Sequence, residues 1–289
     1  MSAPREARQL IREGVRRLAV AGKEHARHEA EWLLSHLVGS RALDLYARDA
    51  QIPEQTAEHF FAKIDARTGG MPLQYLIGEA EFCGAAFVIG PGVFIPRPET
   101  ERIVEAALLA LRPRAARLVR PLRLLDVGTG SGCIAVTLAR SLPACVVVGV
   151  EVSWKALHTA CTNVRRHRVA DRVHLVQGRW AEPVCGRMDA IVSNPPYIPS
   201  AQVDHLPQDV RHEPRISLDG GEDGLRDLMQ VLADAERVLV PGGLLVMECG
   251  EDQVEPLVRL ARAKTWVASA TPVQDLAIRP RGVVIWRTA

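Results

Sequence analysis

Leu122-Arg123-Leu124-Leu125-Asp126-Val127-Gly128-Thr129-Gly130-Ser131-Gly132 is the stretch whose reading decides the fold of this chain. Its first half is a short apolar run of the kind that forms a buried strand. Its second half carries glycine at alternate positions, as needed where a backbone turns tightly and approaches a ligand closely. The loop opens a helix at about Cys133. Strand, glycine loop and helix in that order begin a parallel α/β sheet.

Dinucleotide enzymes place G-x-G-x-x-G at such a turn. Here the spacing is G-x-G-x-G, with Asp126 two residues before the first glycine. That combination suits the methionyl end of S-adenosylmethionine, a zwitterion with no pyrophosphate to cradle. Asp126 can hold the ammonium group directly or through water, beside Gly128, Thr129, Gly130, Ser131 and Gly132. The next strand, 145–150, ends in Glu151, about 20 residues beyond the loop, where an acid can accept both ribose hydroxyls. A helix over 156–164 and a strand over 173–176 follow. Gln177-Gly178-Arg179-Trp180 then forms the adenine end, with Trp180 covering the base.

Residues 188–193 read as a strand running into Asn194-Pro195-Pro196-Tyr197. Two prolines fix φ and remove two backbone donors, so a rigid loop sits at the carboxyl end of that strand. A planar amide or amino nitrogen is a poor nucleophile, but two acceptors can hold its N–H groups. The Asn194 side-chain oxygen and the Pro195 carbonyl are suitable, with Pro196 stiffening the loop and Tyr197 offering a flat face. Orientation and preorganised polarity would then carry the catalysis, with no metal needed.

Beyond that motif, 198–214 is a loop rich in proline and charge that could border a substrate entrance. Gly220-Gly221-Glu222-Asp223-Gly224 starts a helix reaching Leu239, and a strand over 244–249 follows Pro241-Gly242-Gly243. A helix over 254–263 and strands over 266–270 and 282–286 close the chain, those strands joined by a basic loop, 275–281.

Upstream, residues 1–70 read as helices. Leu10, Ile11, Val15 and Leu18 make one apolar stripe, and Ala30, Leu33, Leu34 and Leu37 another. Pro53 opens a third helix with Ala57, Phe60, Phe61 and Ile64 on one face. From Tyr75 the pattern turns β-like, and a hairpin of 82–88 against 93–95 is expected. Ile95-Pro96-Arg97-Pro98-Glu99-Thr100-Glu101 comes next, with Thr100 placed to cap a helix over 103–111.

Composition sets no demand for a polyanionic partner: 36 Lys and Arg face 34 Asp and Glu, for a net charge of +2. The six cysteines show no paired ligand spacing, which predicts reduced thiols, no structural zinc and a cytoplasmic setting. No apolar run reaches transmembrane length, and the first eight residues lack an apolar signal core.

Taken together, the helical N-terminal segment, the hairpin, Pro96-Arg97-Pro98-Glu99-Thr100-Glu101, the glycine loop and Asn194-Pro195-Pro196-Tyr197 resemble the bacterial protein-(glutamine-N5) methyltransferases. Within that family the chain is most similar to members acting on peptide chain release factors. The resemblance implies a class I methyltransferase fold: a mainly parallel, Rossmann-like sheet of seven strands whose last strand inserts antiparallel. It implies three parts: 1–74 as a helical substrate-docking domain, 75–95 as a linking β-hairpin and 96–289 as the methyltransferase domain. The implied reaction moves a methyl group from S-adenosylmethionine to the glutamine of a Gly-Gly-Gln loop. The partner would be a release factor, free or ribosome-associated, with no direct nucleic-acid binding. Other reactions of related enzymes are methylation of a ribosomal-protein glutamine and of adenine N6; a cofactor-binding module without activity is a further alternative. At Arg179 the chain departs from the family, which usually has aspartate there.

Overall fold

The computed structural model describes residues 4–47, 50–275 and 277–289. Residues 1–3 of the charged start and Leu276 of the basic loop lie outside them. The chain divides into two compact units, Met1–Glu79 with Pro207–His212, and Ala80–Leu206 with Glu213–Ala289.

The first unit is helical, with α1 (Ala7–Val20), α2 (Ala26–Val38), α3 (Ala42–Ala47), α4 (Glu54–Thr68) and α5 (Leu73–Ile77). A short antiparallel pair, β1 (Arg5–Glu6) and β2 (Gln51–Ile52), ties the segment before α1 to the one before α4. The expected stripes meet in its core: Leu10, Ile11 and Leu18 pack with Ala30, Leu33, Leu34, Phe60 and Ile64. Val15, Leu37 and Phe61 sit at its margin, partly buried. A side chain at Gly14 would come within 2.8 Å of the Phe60 ring, so α1 and α4 meet there without one. Arg67 donates twice to Glu29, at 2.8 and 2.9 Å, and this ion pair is buried. The Pro207–His212 segment belongs to this unit through Gln208, which donates to the Gly69 carbonyl at 2.9 Å, and Asp209, 3.6 Å from Arg67. Tyr75 lies in α5 rather than in β structure: Pro72 at the N-cap and left-handed Gly78 at the C-cap bracket one helical turn.

The hairpin also differs from expectation. Its strands are β3 (Glu79–Phe82) and β4 (Ala85–Val88), joined through Cys83 (φ 49°) and Gly84 (φ 68°). Two successive left-handed residues make the tight turn that matches the twist of a hairpin. Residues 93–95 form no strand, and the Ile95 N–H donates to the Glu213 side chain at 2.9 Å instead of to a ladder. Helix α6 (Pro98–Ala115) starts earlier than expected, with Pro98 in its first turn, so Thr100 lies inside the helix rather than capping it.

Sheet strands and helices then alternate as β5 (Leu122–Val127), α7 (Cys133–Ser141), β6 (Cys145–Glu151), α8 (Trp154–Arg166), β7 (Val173–Gln177) and β8 (Met188–Ser193). After the short α9 (Ser200–Val203) come α10 (Arg226–Val238), β9 (Leu239–Glu248), α11 (Val254–Arg262), β10 (Val267–Gln274) and β11 (Pro280–Arg287). The seven strands lie in the order β10-β11-β9-β8-β5-β6-β7. All neighbours are parallel except β11, which runs antiparallel to both β9 and β10. The last strand is inserted antiparallel, as the element order predicts.

Strand periodicity fills both faces of this sheet. Leu124, Val192 and Val246 point into the core beneath α6 and α7, while Leu125, Ile191 and Leu245 point beneath α10 and α11. Strand β9 begins before its expected start because Gly242 (φ 66°) and Gly243 form an irregularity inside it, where the register to β8 shifts. Helix α10 begins at Arg226, and the glycine-rich 220–224 stretch serves the site instead. No described helix is long and apolar enough to cross a membrane.

Candidate active site

Chain connections diverge between β5 and β8: β5 leads to β6 on one side, and β8 to β9 on the other. Ligands of open α/β sheets bind in the crevice outside the carboxyl ends at such a point. A crevice of about 1100 Å³, its solvent-open part included, lies there. Gly128, Thr129, Gly130, Ser131, Glu151 and Trp180 line one part of it, and Asn194, Pro195 and Pro196 another. Asp126, Gly132 and Tyr197 are not on its wall.

The glycine loop follows from backbone geometry. Gly128, Gly130 and Gly132 all have positive φ, at 72°, 57° and 82°. Open space surrounds the position of a Cβ at Gly128, whereas one at Gly132 would meet Ala160 of α8 at 3.2 Å. The first glycine therefore leaves room for a ligand, and the third lets the loop pack on α8. Behind the loop, Asp126 is fully buried; one oxygen accepts from the Thr129 hydroxyl at 2.5 Å and from the Ala135 N–H at 3.0 Å. Burial outweighs these bonds and pushes the carboxyl up to about 7. Its Oδ1 and the Ser131 hydroxyl are buried polar atoms without a partner among the described residues.

Glu151 accepts from the Gly130 N–H at 2.9 Å and the Ser153 N–H at 2.8 Å, one bond to each oxygen. Each oxygen keeps acceptor capacity. Burial raises this carboxyl as well. Trp180, itself left-handed at φ 46°, donates its indole N–H to Asp227 at 3.0 Å, and Arg226 holds the other Asp227 oxygen at 2.8 Å. The exposed Arg179 guanidinium lies 4.6 Å from the centre of the Trp180 ring.

The Asn194 loop is braced from several sides. Ser193 donates to the Val127 carbonyl at 2.8 Å, tying β8 to β5 at the base of the crevice. Gly220 and Gly224 let the 220–224 stretch lie against it: a Cβ at Gly220 would come within 2.8 Å of the Pro196 carbonyl, and one at Gly224 would overlap the Tyr197 carbonyl. Gln253 donates to the Tyr197 carbonyl at 2.9 Å. Asn194 Nδ2 donates to the Thr100 hydroxyl at 3.0 Å, which donates in turn to Glu248 at 2.6 Å. The Tyr197 hydroxyl donates to the other Glu248 oxygen at 3.2 Å, and both burial and that carboxylate raise its pKa.

Sequence reasoning missed Glu248, Gln253, Asp227 and Asn163 as parts of the site, and it read Thr100 as a helix cap rather than as the partner of Asn194. Asn163 is fully buried on α8 and joins the hairpin to the glycine loop. It donates to the Val88 and Ser131 carbonyls at 3.0 and 2.9 Å and accepts from the Val88 N–H at 2.7 Å. Glu248 carried a legible signal, since like Glu151 it is an acid ending an apolar strand. Asn163 and Asp227 carried none, being single polar residues on amphipathic helices.

Two family models match the chain, described as the PrmC N-terminal domain over residues 9–78 and the methyltransferase small domain over residues 105–211. The release factor glutamine methyltransferase of Moorella thermoacetica is 43% identical over 282 residues, covering 97% of this chain and 98% of that protein. The chain belongs to the release factor glutamine methyltransferase family. A second member, from Geobacter sulfurreducens, is 45% identical over 269 residues, covering 92% of this chain and 90% of its own length. In fold the chain is similar to a crystal structure of a methyltransferase from Pyrococcus furiosus, at TM-score 0.52 and 18% identity, covering 79% of this chain and 98% of that one.

The sheet is that of a class I methyltransferase, and this member of the release factor glutamine methyltransferase family is an enzyme that uses S-adenosylmethionine. Its residues fit that group on three observations. The first glycine of the loop faces open space, the buried Ser131 hydroxyl on the crevice wall has no partner among the described residues, and Glu151 keeps acceptor capacity at that wall.

Proposed function

We propose that this enzyme methylates the side-chain amide nitrogen of the glutamine in the Gly-Gly-Gln loop of peptide chain release factors. The observation that carries this reading is the state of Asn194. Its nitrogen is committed to Thr100, so its oxygen is the atom left to accept from a ligand in the crevice. The buried Pro195 offers a backbone carbonyl beside it, held by the fixed φ of two prolines. Two acceptors match the two N–H groups of a carboxamide, and their rigid placement orients a weak nucleophile. Tyr197 stiffens this loop through its hydroxyl and backbone carbonyl.

S-adenosylmethionine, when bound, supplies the methyl group as an electrophile on a sulfonium. Ser131 and the glycine-loop backbone would hold its methionyl end, Glu151 its ribose hydroxyls and Trp180 its adenine face. Asp126 would act from behind, keeping the loop in shape through Thr129 and Ala135. Residues 1–74 would serve as the docking domain for a folded protein substrate, and the setting would be cytoplasmic. Direct nucleic-acid binding is not part of this function.

Incubation with labelled S-adenosylmethionine and separate substrates tests the proposal. Full-length release factor should be methylated efficiently, a short Gly-Gly-Gln peptide poorly because it lacks remote orienting contacts, and duplex DNA not at all. Mass spectrometry locates the methyl group. A methyl group on adenine, or on a ribosomal protein in preference to a release factor, would overturn the assignment.

A further inference from the structure

We propose that Glu248 is a positioning residue that fixes the polarity of Asn194: through the Thr100 hydroxyl it keeps the Asn194 nitrogen turned inward and the oxygen offered to the substrate amide. The inference rests on the function proposed above.

Glu248 ends β9 at 1% exposure and is not on the crevice wall, so it acts through its neighbours. An ionised carboxylate only accepts hydrogen bonds. Both hydroxyls that reach it, from Thr100 at 2.6 Å and Tyr197 at 3.2 Å, must therefore donate. A Thr100 hydroxyl whose one O–H is donated to Glu248 can only accept from Asn194, and the group facing it at 3.0 Å must be Nδ2. Without the charge, Thr100 is released to donate. The Asn194 amide can then reverse, keeping its shape but presenting two N–H groups where the substrate carboxamide also brings N–H. The chain from Glu248 through Thr100 thus decides whether the loop is an acceptor or a donor.

The groups facing Glu248 are Thr100 and Glu99 from α6, Tyr197 from the loop after β8 and Arg281 from β11, with Cys249 next in sequence. Burial and Glu99 raise its pKa, the two hydroxyls and Arg281 lower it, and the balance stands at about 7. Cys249, pushed up to about 12 by burial, stays a neutral thiol alongside.

Glu248→Met removes the acceptor at similar volume, and Thr100→Val removes the relay. Each variant should lose kcat by about 10²-fold, the scale for one preorganised polar group, with the Kd for S-adenosylmethionine unchanged. The double variant should lose no more than either single one, because both break the same chain. Damage to packing alone would add instead. Independently of turnover, the Asn194 side-chain amide resonances should shift with pH in the wild-type protein with a midpoint near 7 and stay flat in Glu248→Met. Additive losses, a Glu248→Met enzyme with normal kcat, or an Asn194 signal that does not follow Glu248 would each overturn the proposal. A wild-type protein that leaves release factor unmethylated overturns the function above, while the resonance titration still decides whether Glu248 controls Asn194.

Discussion

The Gly130 N–H donates to the Glu151 carboxylate at 2.9 Å, so the glycine loop after β5 and the acid ending β6 are one hydrogen-bonded object. Two features separated by 21 positions in the chain therefore present a single surface to the crevice. That bond requires Gly130 at φ 57°, a left-handed conformation.

Gly130→Val should act through that conformation. A Cβ there would touch only the Gly128 carbonyl, at 3.9 Å, so space is available and the backbone is the obstacle. Holding a side chain left-handed costs about 1–2 kcal/mol, more for a β-branched one, which weakens ligand affinity by about tenfold or more. Calorimetry with S-adenosylmethionine should show this while circular dichroism stays native; unchanged affinity would remove the loop from the site.

Asn194→Ala removes one amide acceptor and leaves the glycine loop and Glu151 in place. Turnover should fall about 10²–10³-fold, with the Kd for S-adenosylmethionine nearly unchanged. Near-normal turnover would make the tetrapeptide a turn and nothing more.

Asn163→Ala strips three partners from backbone, the half-buried Val88 N–H and carbonyl and the buried Ser131 carbonyl. Unpaired buried groups cost about 1–3 kcal/mol each, some of it recovered by relaxation, so urea unfolding should show a loss of about 2–3 kcal/mol. Cofactor affinity should fall with it, because Ser131 belongs to the loop. Stability within about 0.5 kcal/mol of wild type would mean the hairpin is held by its apolar contacts alone.

Arg179→Ala tests whether the departure from the family's aspartate matters. The guanidinium is exposed and stacks on Trp180, a contact worth about 0.5–1 kcal/mol at such sites. Trp180 stays anchored by Asp227. The change in affinity for S-adenosylmethionine should therefore stay within about fivefold, and a much larger loss would assign Arg179 a role of its own.

Asp126→Asn tests the pH response. Burial lifts the Asp126 carboxyl from 3.8 to about 7 in the folded protein. Between those values the folded chain holds a proton that the unfolded chain has released. Stability from this group is fully present below the lower value and is lost as pH rises towards the upper one. The melting temperature of the ligand-free wild type should therefore fall more between pH 5 and pH 8 than that of Asp126→Asn. Equal falls would show Asp126 already ionised in the fold at pH 5.

The order of strands and helices from Leu122 onward, the glycine loop, Glu151 and the Asn194 loop were all legible in sequence, because each depends on local chemistry. Period-two burial, positive φ at glycine and the fixed φ of proline act within a few residues of themselves. The hairpin register was misjudged because a left-handed Cys83 has no composition signal, and Ile95 found its acceptor in Glu213, far along the chain. The function of Thr100 was equally hidden: a threonine near a helix start reads as a cap, and only the fold carries β9 close enough to place Glu248 at 2.6 Å from it. Sequence by itself therefore determined the sheet and the chemical groups at its carboxyl edge. Tertiary structure alone decided which of those groups face the crevice and which, like Asp126 and Tyr197, stand behind it, because a hydrogen-bond partner is chosen by distance in space and leaves no mark on spacing in the chain.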